Sequence, residues 1–445
     1  ERRGAAVKIL INNVSVVPVT GPEIVIRNGA IAVSNGQIFY VGPADGLPRD
    51  FVADRVIEGA GMVALPGFVN AHTHAAMTLF RSYADDLPLM RWLEEAIWPL
   101  ERKLVAEDVY WGTLLACAEM LLGGTTTFAD MYFFMDRVAM AVEKSGIRAC
   151  LSRGLIGVAS NALSALKESR DFIREWHGKA NGRITCMLGP HAPYTCPPEY
   201  LRKVVTLAEE LGVGIHIHVA ETRQEVATVQ KEYGRSPVAL LAETGLLDLP
   251  VLAAHCVHLS SEDIAILAAK GTAVAHNPQS NMKLASGIAP VTRLLEAGVT
   301  VGLGTDGAAS NNNLDMFEEM RSAALLQKVA REDPEALPAY AVLEMATLGG
   351  ARALGLAESI GTLEVGKRAD IVLLNLRRPH LYPPHDIVAH IVYAAQASDV
   401  DTVLVDGRVV VEAGQLVTLD LNAILDNARL CAQRLVGKQK ARSLL

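Results

Sequence analysis

The sequence has few features of a secreted, membrane-spanning or nucleic-acid-binding protein. Its six cysteines form no C-x-x-C pair and lie mostly inside apolar stretches, which is the usage of a reducing cytoplasm. No apolar run reaches the roughly 18 residues of a membrane span, and the first residues lack the apolar core of a signal peptide. The 41 basic residues, against 49 acidic ones, form no basic block. We therefore expect a cytoplasmic protein with neither a nucleic-acid nor a membrane partner.

The composition is that of a large globular protein. Half of the 445 residues are hydrophobic and 20% are charged, so the chain can bury a sizeable core. At roughly 150 residues per domain the length corresponds to about three domain equivalents, of which one α/β barrel alone can take up two. A small disulfide scaffold is excluded.

Both ends of the chain have the pattern of β-structure. Residues 7–61 consist of short β-branched runs separated by turn residues such as Asn-Gly. The same pattern occurs near the other end of the chain, in GTLEVGKRADIVLLNL and VDTVLVDGRVVVEAGQ. Two unrelated β caps are one interpretation. We favour a single small β-sandwich domain formed by residues 1–64 and 357–445, because chain termini often lie close together.

The middle of the chain alternates short apolar strands with long helical segments. Eight such strands can be counted, which predicts a (β/α)₈ TIM-like barrel over residues 65–356, with its active site at the carboxyl ends of the strands. Each candidate strand ends in a polar or ionisable group, which core packing alone does not explain. These endings are His72 and His74, Asp130, Arg153, His191, His218 with Glu221, His255, Asn277 and Asp306.

The motif Pro-Gly-Phe-Val-Asn-Ala-His-Thr-His at the first strand predicts a metal site. Residues two apart on a strand face the same side, so His72 and His74 direct both imidazoles into the barrel mouth. Neutral imidazoles suit Zn²⁺ or Fe²⁺. An H-x-H pair alone is weak evidence, and its position at the end of an apolar strand strengthens it.

Later strands offer the remaining ligands and a catalytic group. His216 and His218 share a face, so either can be the third imidazole; we choose His218, which is nearer the strand end and three residues before Glu221. Asp306 ends the eighth strand, where coordination would offset the cost of a buried carboxylate. It could instead cap the next helix. His255, on the sixth strand, is either an active-site group or a hydrogen-bonded core histidine.

With PGFVNAHTH, HVAE, AAHCVH and LGTDGAASNN in this order, the sequence resembles the amidohydrolase superfamily and, within it, the 5′-methylthioadenosine/S-adenosylhomocysteine deaminases. The resemblance spans essentially the whole chain. It implies one divalent metal per subunit, zinc in the first place and ferrous iron as the alternative, bound by His72, His74, His218 and Asp306. It also implies no carboxylated lysine, and the fourth strand correspondingly ends in His191.

The same resemblance implies a nucleoside thioether substrate and the residues that bind it. Glu101 would bind the ribose hydroxyls, while Arg153 and His191 would contact other parts of the substrate. From the residues alone Glu101 is an ordinary helix position. The loop after the third strand lacks the second arginine that binds the S-adenosylhomocysteine carboxylate in some relatives, so Arg153 alone or Lys167 would have to serve. The preference among methylthioadenosine, S-adenosylhomocysteine and adenosine therefore stays open, as does association into a homo-oligomer.

The resulting hypothesis is hydrolytic deamination of the adenine ring. A metal lowers the pKa of water, the resulting hydroxide attacks C6, and Glu221 protonates N1. His255 and Asp306 would hold the water, and Asp306 would pass its proton to the leaving amine; Glu221 and Asp306 also contact the substrate. Alternatives are another amidohydrolase acting on a purine, pyrimidine or triazine ring, a two-metal hydantoinase-like ring opener, and a catalytically inactive barrel scaffold.

Overall fold

The computed structural model describes residues 7–437, which form two sheets. In chain order the strands of this part are β1 Ile9–Val16, β2 Ile26–Ser34, β3 Gln37–Pro43, β4 Arg55–Glu58, β5 Met62–Pro66, β6 Phe68–Thr73, β7 Thr125–Tyr132, β8 Arg148–Leu155, β9 Ile184–Pro190, β10 Ile215–Val219, β11 Val251–His255, β12 Ala273–His276, β13 Val301–Leu303, β14 Ile371–Asn375, β15 Val400–Val405, β16 Arg408–Glu412 and β17 Gln415–Leu416.

Helices follow most of the barrel strands. They are α1 Leu89–Arg91, α2 Trp98–Glu101, α3 Ala106–Leu122, α4 Met135–Ser145, α5 Ala162–Trp176, α6 Lys179–Gly182, α7 Pro198–Leu211, α8 Arg223–Tyr233, α9 Pro237–Glu243, α10 Ser261–Lys270, α11 Pro278–Lys283, α12 Val291–Glu296, α13 Ala308–Asn311, α14 Met316–Arg331, α15 Ala339–Glu344, α16 Gly350–Ala353, α17 Ile387–Tyr393 and α18 Leu421–Val436. Two π-helical turns, Trp92–Ile97 and Met345–Gly349, join α1 to α2 and α15 to α16. The short 3₁₀ segments are Ala44–Gly46, Ala75–Phe80, Leu246–Asp248, Pro379–Leu381 and Ala397–Asp399.

The predicted (β/α)₈ barrel is confirmed. Strands β6 to β13 pair in parallel and in sequential order, and nearly all residues of strands such as β6, β7 and β8 are buried because both faces of the sheet are covered. The seam between β13 and β6 is joined by polar contacts. Asn70 donates to Thr305 Oγ1 at 2.7 Å and accepts from the Thr305 amide at 3.0 Å, and the Asp306 amide donates to the His72 carbonyl at 2.9 Å.

The predicted first barrel strand is two strands. β5 lies in the other sheet, where Leu65 pairs with Val372, and only β6 belongs to the barrel. Gly67 connects them, and a Cβ at this position would lie 2.0 Å from Thr126 Oγ1. Residues 65 and 66, which we assigned to the barrel, therefore lie in the sheet formed by the chain ends.

That sheet contains strands from both ends of the chain. Its order is β17-β16-β15-β14-β5-β1-β2-β3, with β4 paired to β1, so β5 and β14 join the two ends in one continuous sheet. Helix α18, which belongs to the predicted composite domain by sequence, packs on the barrel instead of on this sheet. Its Ile424 packs with Leu114 and Ala118 of the barrel helix α3. Residues 1–6 and 438–445 of the predicted composite domain lie outside the described residues.

A buried ion pair links this sheet to the amino-terminal end of the barrel. Arg148, at the start of β8, donates to both carboxylate oxygens of Asp370 at 2.9 and 3.1 Å. The same carboxylate accepts the Asp406 amide at 2.7 Å, and both partners of the pair are at most 5% exposed. Within residues 7–437 no helix is both long and apolar enough to cross a membrane.

Candidate active site

Four predicted ligands meet at the carboxyl ends of β6, β10 and β13. His72 Nε2 and His74 Nε2 lie 3.4 and 3.3 Å from Asp306 Oδ1, and His218 Nε2 lies 3.3 Å from His74 Nε2. A tetrahedral ion with ligand bonds of about 2.0–2.1 Å requires neighbouring ligand atoms about 3.3 Å apart. These three distances fit ligands of a single divalent metal ion. His72 belongs to both groups of side chains close enough to hold one, with His74 and Asp306 in the first and with His218 and His255 in the second.

The other ring nitrogen of each of these histidines has a partner that fixes the tautomer. His74 Nδ1 donates to the Met131 carbonyl at 2.6 Å, and His218 Nδ1 donates to the His191 carbonyl at 2.7 Å. His72 Nδ1 lies 2.8 Å from Nε2 of His216, which is itself buried. Each Nε2 thus presents a lone pair to the centre, and the buried His72 Nε2 has no hydrogen-bond partner among the described residues. An orphaned acceptor of this kind fits a metal ligand.

His216 is therefore a partner of His72 and lies beneath the four convergent groups. Its Nδ1 lies 3.3 Å from Ser152 Oγ, which donates to the Asp130 carbonyl at 2.7 Å. The directions are mutually consistent: His72 donates to His216, and His216 donates to the serine. Of the two imidazoles that the sequence offered on β10, His218 is the one at the centre.

Asp306 is held so that one carboxylate oxygen faces the imidazoles. Its Oδ2 accepts hydrogen bonds from the hydroxyls of Ser280 at 2.6 Å and Ser310 at 2.8 Å, and Oδ1 accepts the Gly307 amide at 2.8 Å. The backbone of Asp306 is left-handed, with φ 59°. Burial alone would raise the pKa of Asp306, but the nearby imidazoles of His72, His74 and His255 hold it well below the usual value.

Glu221 and His255 stand beside these ligands. Glu221 Oε2 lies 3.8 Å from His255 Nε2, and Nδ1 of that imidazole lies 2.9 Å from Asn281 Oδ1. Burial raises the pKa of Glu221 from its usual value. Burial alone would lower the pKa of His255, but the carboxylates of Glu221 and Asp306 raise it. The site therefore places a carboxyl group and an imidazole, both with raised pKa values, side by side, and these are two group types that serve as general acids and bases.

A cavity of about 700 Å³ opens over these groups, a volume typical of small-molecule sites. Its outer wall is apolar and includes Trp92, Ile97 and Phe133. Glu101 and His191 also line it. Burial raises the pKa of Glu101 to about 7 and lowers that of His191 to about 4.

The neutral His191 presents an acceptor to the cavity. Its Nδ1 lies 2.9 Å from Thr195 Oγ1, whose own hydrogen is donated to the Ala192 carbonyl at 3.2 Å. Nδ1 must then carry the proton, and Nε2 is left with a lone pair. A substrate hydroxyl or amine is the complementary group.

Arg153 does not meet the other predicted site residues. On β8 the neighbouring Ser152 and Gly154 face the barrel interior and the cavity, so strand alternation directs Arg153 to the opposite face. There Nε donates to Glu168 Oε2 at 2.8 Å. Lys167 lines a separate surface groove between α5 and α7. Neither cation lines the cavity in this conformation.

Several supporting residues were missed by the sequence reasoning. Ser280 and Ser310 hold Asp306, Asn281 holds His255, and Glu225 accepts the backbone amides of Ala220 and Glu221. Their positions just after strands that carry candidate groups were a usable signal. Which neighbouring loop each side chain would reach was not readable from the sequence.

Comparisons with known proteins agree with this geometry. The amidohydrolase family model matches residues 63–410. Proteins named 5-methylthioadenosine/S-adenosylhomocysteine deaminase are 61% identical in Pelotomaculum thermopropionicum, covering 97% of this chain and 99% of the relative, and 62% identical in Desulforudis audaxviator, covering 96% and 99%. The crystal structure of an adenosine deaminase from Xanthomonas campestris with bound zinc superposes with a TM-score of 0.91 at 40% identity, covering 96% of this chain and 98% of the other.

Proposed function

The chain belongs to the amidohydrolase family, and on that premise we propose that it deaminates the adenine ring of 5′-methylthioadenosine and S-adenosylhomocysteine. The products are the corresponding inosine derivatives and ammonia. The protein is a hydrolase that acts on a C–N bond, as its curated relatives are named. The observation that carries the proposal is the convergence of His72, His74, His218 and Asp306 beside Glu221 and His255 at the floor of one cavity.

We propose that the four convergent groups hold one divalent metal, and that this metal is zinc. The tautomers, the orphaned His72 Nε2 and the carboxylate oxygen of Asp306 make a donor set of three nitrogens and one oxygen, which suits zinc. A bound divalent metal lowers the pKa of water towards neutrality and so supplies the nucleophile.

The adenine ring is proposed to lie over Glu221 and Asp306. Glu221, whose pKa is raised by burial, donates a proton to N1, so that C6 becomes more electrophilic, and takes up the proton of the new C6 hydroxyl as ammonia leaves. Asp306, whose low pKa keeps it ionised, accepts the proton of the attacking water and passes it to the departing amine. His255 stabilises the charge on the oxygen that adds to C6 with its Nε2–H, while Asn281 fixes the ring through Nδ1.

The ribose is proposed to lie between Glu101 and His191. The Glu101 carboxylate can accept both vicinal hydroxyls, and His191 Nε2 can accept a further donor. The apolar wall with Trp92 and Phe133 suits a thioether substituent. Arg153 can bind the S-adenosylhomocysteine carboxylate only after its contact with Glu168 breaks. We therefore propose that this binding requires the Arg153 side chain to change its conformation.

Cytoplasmic location is part of the proposal. All six cysteines are free and buried, in keeping with a reducing compartment. Adenosine is the third candidate substrate, because a structural relative that superposes closely is named an adenosine deaminase.

The test is the loss of adenine absorbance with methylthioadenosine, S-adenosylhomocysteine and adenosine side by side, together with the ammonia released. We expect one ammonia per substrate and a higher kcat/KM for at least one thioether than for adenosine. A panel containing guanine, cytosine and a triazine serves as the comparison. Turnover of a panel compound with none of the three adenosines would refute the proposed substrate, and no turnover at all would favour the inactive scaffold.

A further inference from the structure

The turn that carries Glu221 is held by a second buried carboxylate. Glu225 Oε1 accepts the Ala220 amide at 3.0 Å, and Oε2 accepts the Glu221 amide at 2.8 Å. Glu225 is only 6% exposed, so bulk water offers these two amides little alternative. Backbone amides between a strand and a helix lack ladder partners and need acceptors from elsewhere. One carboxylate provides both.

The backbone at this turn needs such support. Ala220 has φ 50°, and the facing loop has φ 73° at His255 and φ 48° at Cys256. Residues without the freedom of glycine keep such values only where their surroundings enforce them. Here the two turns are joined directly: the Cys256 amide donates to the Val219 carbonyl at 3.0 Å, and the amides of the next two residues donate to the Ala220 carbonyl at 3.1 and 3.0 Å.

The consequence is a fixed relation between two reacting side chains. Glu221 and His255 lie on these two joined turns, with 3.8 Å between Glu221 Oε2 and His255 Nε2. Glu225 completes the hydrogen bonding of one turn from the side away from the cavity, and it is not among the residues that line the cavity. Glu225 therefore does not contact a bound substrate, and its direct contact with the reacting groups is through the backbone of Glu221.

We infer that Glu225 is a positioning residue for deamination, which fixes the Ala220–Glu221 peptide so that the Glu221 carboxyl group stays aligned with the substrate ring. This inference rests on the proposed function, in which Glu221 is the proton donor. A purely structural role is the competing interpretation. The cap of helix α8 is a separate contact, because Thr222 Oγ1 accepts the Glu225 amide at 3.1 Å.

The test compares Glu225→Gln with wild type. Glutamine keeps the size of the side chain but replaces one acceptor oxygen with an amide group that faces a backbone N–H. Since misplacing a catalytic group by about 1 Å can cost about 100-fold in rate, we expect kcat to fall about 10- to 100-fold. The KM for methylthioadenosine should stay within about threefold, and metal content should not change. Glu225→Asp, which retains both oxygens, should recover part of the loss.

A matched control lies at the next strand-to-helix connection. Asp263 is also buried, and its Oδ2 accepts the Ser260 amide at 2.8 Å, but that amide belongs to no reacting residue. Asp263→Asn should lower Tm while kcat stays within about twofold. Equal losses of kcat in the Asp263 and Glu225 variants would overturn the inference, because stability alone would then explain both.

A double-variant cycle gives the sharpest readout. In a Glu221→Gln background, Glu225→Gln should lower the residual kcat by no more than about twofold, because the group that it positions no longer donates a proton. The same fold loss in both backgrounds would contradict the inference. If wild type releases ammonia and Glu225→Gln has normal kcat, the inference alone fails. If wild type turns over none of the three adenosines, the proposed function fails and the inference falls with it.

Discussion

Replacing His216 with phenylalanine tests whether the residue beneath His72 supports metal binding. The phenyl ring is planar like the imidazole, although larger, and has no acceptor, so His72 Nδ1 would lose the partner that lies at 2.8 Å. Residues that orient metal ligands in this way typically contribute about 10- to 100-fold to metal affinity. The unpartnered buried N–H would also cost about 1–3 kcal/mol of folding stability.

The matched control is His276→Phe. His276 is equally buried, lies on β12, and has no hydrogen bond at either ring nitrogen among the described residues. Burial lowers its pKa to about 3, so the imidazole is neutral and the same replacement removes no charge. We expect His276→Phe to leave metal affinity within about twofold and stability little changed.

The assay is competition for zinc with a chromophoric chelator, performed on apo-protein of each variant, together with the rise in Tm on adding zinc. The account predicts weaker binding and a smaller rise in Tm for His216→Phe only. Equal affinities in wild type and His216→Phe would refute the reasoning from the hydrogen-bond chain. Equal losses in the two variants would show that general packing, and not the contact with His72, is responsible.

Three further predictions concern other parts of the molecule. Glu221→Gln should lower kcat by about 10²- to 10⁴-fold, the range of general acid catalysis, with metal content retained; normal turnover would remove its role as proton donor. Arg148→Met leaves the buried Asp370 carboxylate without its cation and should cost about 3–5 kcal/mol in urea unfolding; a loss below 1 kcal/mol, the value of a surface pair, would contradict this. Glu168→Gln removes the carboxylate that holds Arg153, so kcat/KM for S-adenosylhomocysteine should rise relative to that for methylthioadenosine. An unchanged ratio would show that Arg153 does not bind the substrate carboxylate.

The sequence predicted those parts of the fold that repeat. Eight apolar runs with polar endings indicate eight parallel strands because a strand buried on both faces has little other composition available to it. The division at Gly67 was not readable, because β5 and β6 form one apolar run and their separation depends on pairing between Leu65 and Val372, some 300 residues apart. Helix α18 was likewise missed as a barrel contact, since its partner α3 is distant in sequence.

At the candidate site, the sequence predicted which side chains lie at the ends of the barrel strands, but not which way each of them points. Strand alternation correctly placed His72 with His74, and the structure brings both to Asp306. The same alternation turns Arg153 away from the cavity, and the resemblance-based assignment overlooked this. Ligand orientation depends on long-range contacts such as that of His216 with His72, which no local pattern encodes.

The most direct test of the central claim is a metal titration of apo-protein during turnover of methylthioadenosine. The account predicts no ammonia release without metal, a linear rise on adding zinc, and saturation at one ion per chain, as expected for three imidazoles and one carboxylate around one point. Saturation at two ions per chain, or full activity in the metal-free protein, would contradict a single-metal deaminase.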